Sequence, residues 1–538
     1  MKGLMMDFHL TVPVILRRAE TLCANKTIVT RLPDKSIHRY TYREMATRSK
    51  QLSAALKKLG VSEGDRVATL CWNHYQHLEI YFAVPGIGAV LHTLNLRLSP
   101  DDLTYIVNHA EDKVIIVDQV LLPLFDKFKD RIKVSHVVVI ENGTGPIPAG
   151  YTGYESLLSS GDASTFTPFS GDENTAAAMC YTSGTTGQPK GVLYSHRSIV
   201  LHSMLSAFTD GMAIGEADVV LPVVPMFHVN AWGLPFTCTM LGCTQVFPGP
   251  HLDPASLLEL YETEKVTLTA GVPTIWMGIL NVLDANPGKY NLSSIRCMLV
   301  GGSAAPRSMI VGYQERHNLR ILHAWGMTET SPLGSICGLT AELRKAAPEV
   351  QYTYRAKQGV AAPLVEMRAR NENGIVPWDG TTMGELEVRG PWISSAYYNT
   401  PDDEGKFTAD GWFRTGDIVT LEANGYIEIK DRSKDVIKSG GEWISSVQLE
   451  GALMGHPAVA EAAVFAIPSE KWMERPMAAI VLKEGKSVTV EELNTFLEPH
   501  FAKFWLPEAY ETVKEIPKTS VGKFKKSTLR EMFRNYKA

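Results

Sequence analysis

Cysteine is scarce in this chain of 538 residues, and the seven that occur are widely scattered. No two of them have the Cys-x-x-Cys spacing; they are Cys23, Cys71, Cys180, Cys238, Cys243, Cys297 and Cys337. An odd number of scattered cysteines argues against a disulfide framework or a structural zinc site and favours a reducing compartment. We therefore expect a cytoplasmic protein.

Excess charge of either sign is also lacking. The chain has 53 Lys and Arg against 58 Asp and Glu, a formal net charge of -5. This balance excludes a chain-wide attraction to nucleic acid or to an anionic membrane.

Hydrophobic residues at 45% and charged residues at 21% are typical of a globular protein. The length exceeds that of a single ordinary domain, so we expect two or more domains.

Signals for secretion or membrane insertion are weak. Lys2, Asp7 and Arg17 interrupt the apolar residues near the start, which leaves no secretory core. Residues 219–252 contain no Asp, Glu, Lys or Arg and exceed the about 20 residues of a transmembrane helix. Five prolines break this segment, so it predicts buried strands and loops rather than a membrane span; they are Pro222, Pro225, Pro235, Pro248 and Pro250.

Short β-branched runs recur, each followed by a loop of small residues and a helix-like stretch. The strand candidates are 114–117, 134–140, 266–268 and 298–300. The helix candidates 274–283 and 307–316 follow the last two. Alternation of this kind predicts an α/β fold with parallel or mixed sheets covered by helices. Ligands in such sheets bind beyond the carboxyl ends of the strands.

The carboxyl end of the chain is rich in basic residues. Eight of them lie between 514 and 538, namely Lys514, Lys518, Lys523, Lys525, Lys526, Arg530, Arg534 and Lys537. For most of these we expect ordinary solvent-exposed side chains. Lys523 is the exception, because residues 517–522 are typical of a turn that would present its ammonium group.

The most specific segment is 181–191, which follows an apolar strand candidate at 176–180. It combines a lysine with four hydroxyl side chains and three glycines, namely Thr182, Ser183, Gly184, Thr185, Thr186, Gly187, Lys190 and Gly191. Backbone N–H groups, hydroxyls and one cation are the donors that a polyphosphate needs. Pro189 before Lys190 disfavours the helix that follows a Walker loop. The alternative is a flexible surface loop.

This segment resembles the phosphate loop of the adenylate-forming superfamily, which comprises acyl-CoA synthetases, adenylation domains of peptide synthetases and luciferases. Further segments resemble the family in the same order, from about Thr41 to Lys526; they are 227–228, 301–304, 324–330, 411–417, 431–435, 439–444 and 517–523. The resemblance implies a large N-terminal domain, residues 1–431, of mixed β-sheets covered by helices. It also implies a small mobile α+β C-terminal domain, residues 432–538.

The resemblance further implies the residues that handle the nucleotide. ATP would bind with Mg²⁺ near Glu329 and Thr185. Trp325 would stack on adenine, and Asp417 with Arg432 would bind the ribose. The full set implied to bind the nucleotide is Thr182, Ser183, Gly184, Thr186, Gly187, Lys190, Gly302, Ser303, Ala304, Trp325, Gly326, Met327, Thr328, Asp417 and Arg432.

In this family a lysine at the position of Lys523 promotes adenylate formation and then withdraws so that the thiol of CoA can reach the acyl carbon. Lys434 would be the pivot of that rotation. Gly440 and Gly441, with Trp443 beside them, would line the path of CoA. A simple charged linker between domains is the alternative for the segment 431–434.

Residues 227–235 are similar to the medium- and long-chain fatty-acid branch, with His228, Val229, Trp232 and Gly233 at the acyl tunnel. His228 replaces the aspartate of peptide synthetases, which argues against amino acids as substrates. The same branch includes ligases of 3-methylmercaptopropionate, and the sequence does not decide chain length.

Further alternatives for the function are a luciferase-like oxygenase, a transferase to a carrier protein and a non-catalytic nucleotide-binding regulator. The expected partners are a small carboxylic acid, ATP and CoA, with no nucleic acid and no membrane span, and a homodimer stays open.

Overall fold

The computed structural model describes residues 1, 3–182, 188–400, 405–439, 442–469, 471–518, 524–534 and 536, with only the backbone of Glu442. The strands before residue 433 are, in chain order, β1 (Thr27–Arg31), β2 (Ile37–Thr41), β3 (Arg66–Leu70), β4 (Val90–Thr93), β5 (Asp112–Asp118), β6 (His136–Ile140), β7 (Thr152–Gly153), β8 (Ala176–Tyr181), β9 (Gly191–Ser195), β10 (Val219–Pro222), β11 (Thr244–Phe247), β12 (Leu268–Gly271), β13 (Cys297–Val300), β14 (Ile321–Gly326), β15 (Leu333–Ile336), β16 (Val360–Ala361), β17 (Glu366–Asn371), β18 (Gly374–Ile375), β19 (Gly384–Arg389), β20 (Phe413–Leu421) and β21 (Ile427–Arg432). The later strands are β22 (Ile437–Ser439), β23 (Glu442–Ile444), β24 (Val459–Ser469), β25 (Met473–Leu482) and β26 (Ala509–Thr512).

The helices accompany these strands along the whole chain. They are α1 (Val12–Leu22), α2 (Tyr42–Lys58), α3 (Tyr75–Gly86), α4 (Pro100–Ala110), α5 (Leu122–Phe125), α6 (Tyr154–Ser160), α7 (His196–Ala207), α8 (Val229–Trp232), α9 (Leu234–Leu241), α10 (Pro254–Thr263), α11 (Pro273–Ala285), α12 (Arg307–His317), α13 (Pro348–Arg355), α14 (Ser446–Leu453), α15 (Val490–Leu497) and α16 (Lys526–Met532). Local signals set several of their starts. Thr41 and Glu44 form a reciprocal capping box at α2, and Ser99 caps α4 just before Pro100.

Two mixed sheets form most of the large domain. A seven-stranded sheet has the order β7-β6-β5-β3-β4-β8-β9, and a nine-stranded sheet has the order β16-β15-β14-β13-β12-β10-β11-β1-β2. In the first sheet only the β8–β9 pair is antiparallel. In the second, β1, β10, β11, β12, β13 and β14 pair in parallel. The parallel strands therefore end at a common edge, which is where ligands bind in α/β sheets.

A third sheet, antiparallel and five-stranded, has the order β18-β17-β19-β20-β21. The chain then enters a separate small sheet built from β23, β22, β25, β24 and β26. The buried apolar residues divide at the same place, because three clusters use residues up to Ile427 and two others begin at Ile437 and Ala463. Separate cores indicate two domains, a large one and a small carboxyl-terminal one.

The strands and helices predicted from β-branched runs are confirmed, with shifted ends. The strand expected at 266–268 is β12, which starts at Leu268 because the ladder with Val220 begins there. The uncharged segment 219–252 forms buried strands β10 and β11 as expected, but it also contains α8 and α9, which were not predicted. Within the part of the chain that the structure describes, every helix falls short of the length and apolarity needed to span a bilayer.

Candidate active site

The predicted phosphate loop joins β8 to β9, which form an antiparallel hairpin. The base of the loop is closed by two bonds, since Thr182 N–H donates to the Lys190 carbonyl at 2.9 Å and Lys190 N–H donates to Thr182 Oγ1 at 3.0 Å. A strand follows Lys190, which confirms that this is not a Walker loop. Five predicted members lie outside the described residues: Ser183, Gly184, Thr185, Thr186 and Gly187.

The base of this loop contacts a tyrosine that lies between two predicted site residues. Lys190 Nζ lies 5.1 Å from the centre of the Tyr397 ring. The hydroxyl of Tyr397 donates to Glu329 Oε1 at 2.7 Å. Tyr398 N–H fixes the same segment by donating to the carbonyl of Gly191 at 2.9 Å. Tyr397 thus links the cation of the loop to the carboxylate implied to hold the metal.

Glu329 lies in a 3-10 turn, Thr328–Thr330, just beyond β14. Glu329 is 6% exposed. The turn is held in place because Tyr194 Oη donates to the Thr328 carbonyl at 2.8 Å. Tyr397 uses Oε1, whereas Oε2 receives no hydrogen bond from the described residues. A carboxylate with one oxygen oriented by a tyrosine and the other available fits Mg²⁺, which prefers few carboxylate ligands and keeps several waters.

Three residues implied to bind adenine and ribose are directly connected. The indole N–H of Trp325 donates to Asp417 Oδ2 at 2.9 Å, and Arg432 Nε lies 2.8 Å from Asp417 Oδ1. Asp417 and Arg432 are opposite each other in the β20–β21 ladder. Asp417 is only 2% exposed, so both carboxylate oxygens are oriented before any ligand binds.

The remaining adenine segments lie at the ends of adjacent strands. Gly302, Ser303 and Ala304 follow β13, while Gly326 ends β14 and Met327 and Thr328 follow it, and these strands pair in parallel. Gly302 has φ +84, and Ser303 and Ala304 are exposed. A side chain at Gly326 would lie 1.9 Å from the Pro332 carbonyl oxygen. The two predicted segments therefore flank one edge of the sheet.

The predicted acyl segment follows half-buried His228 and forms a left-handed turn. Val229, Asn230, Ala231 and Trp232 have φ between 40 and 57, and Gly233 has φ +74. Left-handed backbone costs about 1–2 kcal/mol at each non-glycine residue, so tertiary contacts must hold this turn.

Contacts on both sides hold the turn. The Trp232 indole lies against Gly301, where an added Cβ would be 3.0 Å from the ring. An added Cβ at Gly233 would be 2.7 Å from Nδ1 of His202. Trp232 therefore lies beside the residues that follow β13.

The small domain carries the remaining predicted residues. Lys434 is exposed in the turn between β21 and β22, and Trp443 is half-exposed in β23, opposite Lys438. Gly440, Gly441 and Lys523 lie outside the described residues. The base of the segment that contains Lys523 is described, because Lys525 N–H donates to the Pro517 carbonyl at 2.7 Å and Lys518 pairs with Phe524.

Comparison with known proteins identifies the family. Residues 16–398 match the family model described as AMP-binding enzyme, and residues 448–523 match the AMP-binding enzyme C-terminal domain. The chain belongs to the AMP-binding enzyme family. The predicted membership of the adenylate-forming superfamily is therefore confirmed.

Characterised relatives of this AMP-binding enzyme match almost its whole length. It is 51% identical to a long-chain-fatty-acid–CoA ligase of Thermus thermophilus, covering 99% of this chain and 97% of the relative. It is 43% identical to a 3-methylmercaptopropionyl-CoA ligase of Ruegeria lacuscaerulensis, with 99% of both chains covered. It is 41% identical to a medium-chain-fatty-acid–CoA ligase of Ectopseudomonas oleovorans, with 99% and 98% covered.

Solved structures show the same architecture. The anthranilate CoA ligase AuaEII in complex with anthranoyl-AMP superimposes with a TM-score of 0.87 at 25% identity, covering 99% of each chain. ATP-bound MatB from Rhodopseudomonas palustris gives a TM-score of 0.83 at 23% identity, covering 98% of this chain and 100% of that one, a likeness that shows the fold alone. The predicted fold class of the AMP-binding enzyme is confirmed.

A second group of side chains in this AMP-binding enzyme has the residue types of a metal site. Ligand atoms of Cys71, His74 and Asp118 lie within 4.8 Å of one another. However, His74 Nε2 is 2.8 Å from Asp118 Oδ1, and Asp118 Oδ2 accepts from Trp72 N–H at 2.8 Å. Burial raises the pKa of the Cys71 thiol well above its ordinary value. This group is a hydrogen-bonded part of the core.

Two tyrosines of the site were not predicted. Tyr397 contacts Glu329 and Lys190, and Tyr194 holds the turn that carries Glu329. Tyr194 lies in β9, and its distance along the sequence from other site residues follows no distinctive pattern. The adjacent pair Tyr397-Tyr398 precedes a charged, turn-like segment, and this was the one local signal that could have indicated Tyr397.

Proposed function

We propose that this AMP-binding enzyme is an acid–thiol ligase that converts a carboxylic acid, ATP and CoA to acyl-CoA, AMP and pyrophosphate. The observation that carries the proposal is that two groups of contacting side chains occur together in a chain 51% identical to a long-chain-fatty-acid–CoA ligase. The first group is Trp325, Asp417 and Arg432, and the second is Glu329, Tyr397 and Lys190. The first group suits a nucleoside, and the second suits its phosphates.

In the first step the substrate carboxylate attacks the α-phosphorus of ATP. The new oxygen–phosphorus bond forms the acyl-adenylate as the bond to the β-phosphate breaks and pyrophosphate leaves. Asp417, already oriented by Trp325 and Arg432, would accept hydrogen bonds from the ribose hydroxyls. Lys190 would approach the phosphates from the base of their loop.

Mg²⁺ bound by Glu329 and Thr185 would neutralise phosphate charge in this step. Tyr397 would hold the Glu329 carboxylate in one orientation through the 2.7 Å hydrogen bond. An ammonium group of Lys523 at about 4 Å from the reacting oxygens would contribute about 4 kcal/mol at an effective dielectric constant near 20, before desolvation.

In the second step the CoA thiol releases its proton to solvent and its sulfur attacks the acyl carbon, and the bond from that carbon to the phosphate oxygen breaks as AMP leaves. We propose the domain boundary at residues 431 and 432, with Lys434 as the pivot that withdraws Lys523. The glycine pair Gly440 and Gly441, with Trp443, would then line the path of CoA. Glycine suits this path because it carries no side chain.

A medium- or long-chain fatty acid is the favoured substrate. Trp232 packs on Gly301 at the end of a strained turn, so its indole can close or open the space beside the nucleotide site. His228 precedes this turn and would position the acid. A second candidate is 3-methylmercaptopropionate, because a ligase of that acid is 43% identical over 99% of the chain.

Two further proposals concern the cell and the assembly. The seven cysteines are all buried and unpaired, which supports a reducing compartment such as the cytoplasm. A homodimer stays a prediction, and sedimentation velocity of the purified chain would test it.

The function is tested by pyrophosphate release across acids from propionate to palmitate, with and without CoA. Lys523→Ala should abolish adenylate formation, while preformed acyl-adenylate is still converted to thioester. Exposed Lys525 provides the matched control, and Lys525→Ala should retain both steps. Absence of acid-dependent pyrophosphate release with every acid would contradict the proposed reaction, and equal loss of both steps in Lys523→Ala would contradict the role of the lysine.

A further inference from the structure

A cluster of buried polar side chains lies where the two domains meet. It consists of Asp431, Ser446, Glu450 and Lys526, which we call the junction cluster. These residues are 0%, 0%, 7% and 8% exposed, respectively. Asp431 belongs to the five-stranded sheet of the large domain, whereas the other three belong to α14 and α16 of the small domain.

The bonds of the junction cluster form a continuous chain. Asp431 Oδ2 accepts from both the N–H and the hydroxyl of Ser446, each at 2.6 Å. The Ser446 hydroxyl in turn accepts from Lys526 Nζ at 2.5 Å. Lys526 Nζ also lies 2.8 Å from Glu450 Oε1. A strand of the large domain is thus bonded, through one serine, to the buried lysine of α16.

This arrangement corrects the expectation that the basic residues near the carboxyl end are solvated, because Lys526 is buried. Burial alone would lower the pKa of Lys526, but Glu450 and Asp431 outweigh that effect and the pKa is raised. Burial raises the pKa of Glu450 to about 7 against the opposing effect of Lys526. Removing the lysine would leave two buried carboxylates without a cation, a change that is strongly destabilising.

The junction cluster also connects two parts of the proposed active site. Arg432, which pairs with Asp417, immediately follows Asp431. Lys526 begins the helix that follows the segment containing Lys523. We propose that Asp431, acting through Ser446 and Lys526, is a positioning residue that holds the small domain in the orientation that its described residues show.

The chain between Asp431 and Ser446 makes this contact sensitive to orientation. Residues 432–445 leave the large domain, form the hairpin β22–β23 and return to α14. A rotation within 432–435 would separate Asp431 from Ser446, whereas Lys526 and Glu450 would move together. The cluster therefore stabilises one orientation selectively, and losing its charge-assisted bonds should change the ratio of orientations by about tenfold or more.

The test measures orientation without catalysis. Spin labels are placed on exposed Glu372→Cys and Lys486→Cys, since the native cysteines are buried. Asp431→Asn and Ser446→Ala should shift or broaden the distance between labels measured by pulsed dipolar spectroscopy. The matched control is Glu508→Gln, which weakens the 2.7 Å pair with Arg475 inside the small domain and should leave the distance unchanged.

A kinetic readout rests on the proposed function. The two half-reactions, adenylate formation and thioester formation from acyl-adenylate, should change unequally in Asp431→Asn and Ser446→Ala, and Lys526→Arg should keep their ratio near that of the unsubstituted enzyme. Unchanged distances in both variants would overturn the inference, whether or not the two half-reactions are lost equally. If the unsubstituted chain performs neither half-reaction, the proposed function fails, and the distances alone decide on the junction cluster.

Discussion

Replacing Tyr397 by phenylalanine tests how the proposed metal-binding carboxylate is oriented. The substitution removes the hydroxyl that donates to Glu329 Oε1 at 2.7 Å and leaves the ring beneath Lys190. Both residues are buried, at 8% and 6% exposure, so water replaces the lost bond poorly. A hydrogen bond to a charged group contributes about 1.5–3 kcal/mol, which corresponds to about ten- to one-hundred-fold in rate if the bond persists in the transition state.

The assay is acid-dependent pyrophosphate release at several concentrations of Mg²⁺. Tyr397→Phe should lower kcat/KM for adenylate formation and shift half-saturation to higher Mg²⁺. Thioester formation from preformed acyl-adenylate should change little, because that step no longer involves the β- and γ-phosphates.

The chain offers a control of the same bond type away from the site. The Tyr354 hydroxyl donates to Glu422 at 2.9 Å, and Lys357 Nζ lies 4.8 Å from its ring centre. This pair is half-buried, and the Tyr354 hydroxyl also accepts from Asn424 Nδ2 at 3.2 Å. Tyr354→Phe therefore removes a tyrosine–carboxylate bond beside a lysine and should cost stability without affecting adenylate formation. If both variants reduce adenylate formation equally, or if Tyr397→Phe leaves its Mg²⁺ dependence unchanged, the role assigned to Tyr397 is refuted.

Three further predictions concern the acyl segment and its supports. Trp232→Ala should alter chain-length preference while short acids are still activated, and an unchanged acyl profile would remove Trp232 from the tunnel. Gly233→Ala should destabilise the fold by about 1–2 kcal/mol in chemical denaturation, because φ is +74 and the new Cβ would lie 2.7 Å from His202 Nδ1. Burial lowers the pKa of His202 to about 4 in the folded protein, whereas its ordinary pKa is near 6.5. At pH values between these two, unfolding takes up a proton. The unfolding free energy should therefore fall by up to about 3 kcal/mol as pH drops through this range, and His202→Gln should lose that share of the pH dependence; parallel curves would contradict it.

Much of the large domain could be predicted because its local and tertiary signals agree. β13 and α12 follow the predicted strand and helix closely, since their apolar residues are also the buried ones. The start of β12 was placed too early at Val266, although that residue is buried and apolar. Its neighbour Thr267 bonds to Val219 and Asp218, and the regular ladder begins only at Leu268. Propensity indicates a strand, but the partner strand sets where pairing starts.

The features that escaped prediction depend on partners distant in sequence. Lys526 meets Ser446, 80 residues away, and nothing around it distinguishes it from the exposed Lys525. Tyr397 meets Glu329, 68 residues away. The left-handed turn at 229–232 contains no glycine, so its backbone conformation contradicts local preference and depends on packing around Trp232 and Gly233.

The end of β21 unites the nucleotide site with the domain junction. Successive side chains of a strand point to opposite faces, so Arg432 and Asp431 face different surroundings. Arg432 meets Asp417, which also receives the indole N–H of Trp325, while Asp431 meets Ser446 at the start of α14. The ladder with β20 fixes both residues, since Asp417 pairs with Arg432 and Ile418 with Asp431. A displacement of this strand end would therefore alter both contacts at once, so under the proposed function we expect nucleotide binding at Asp417 and Arg432 to affect the contact between Asp431 and Ser446.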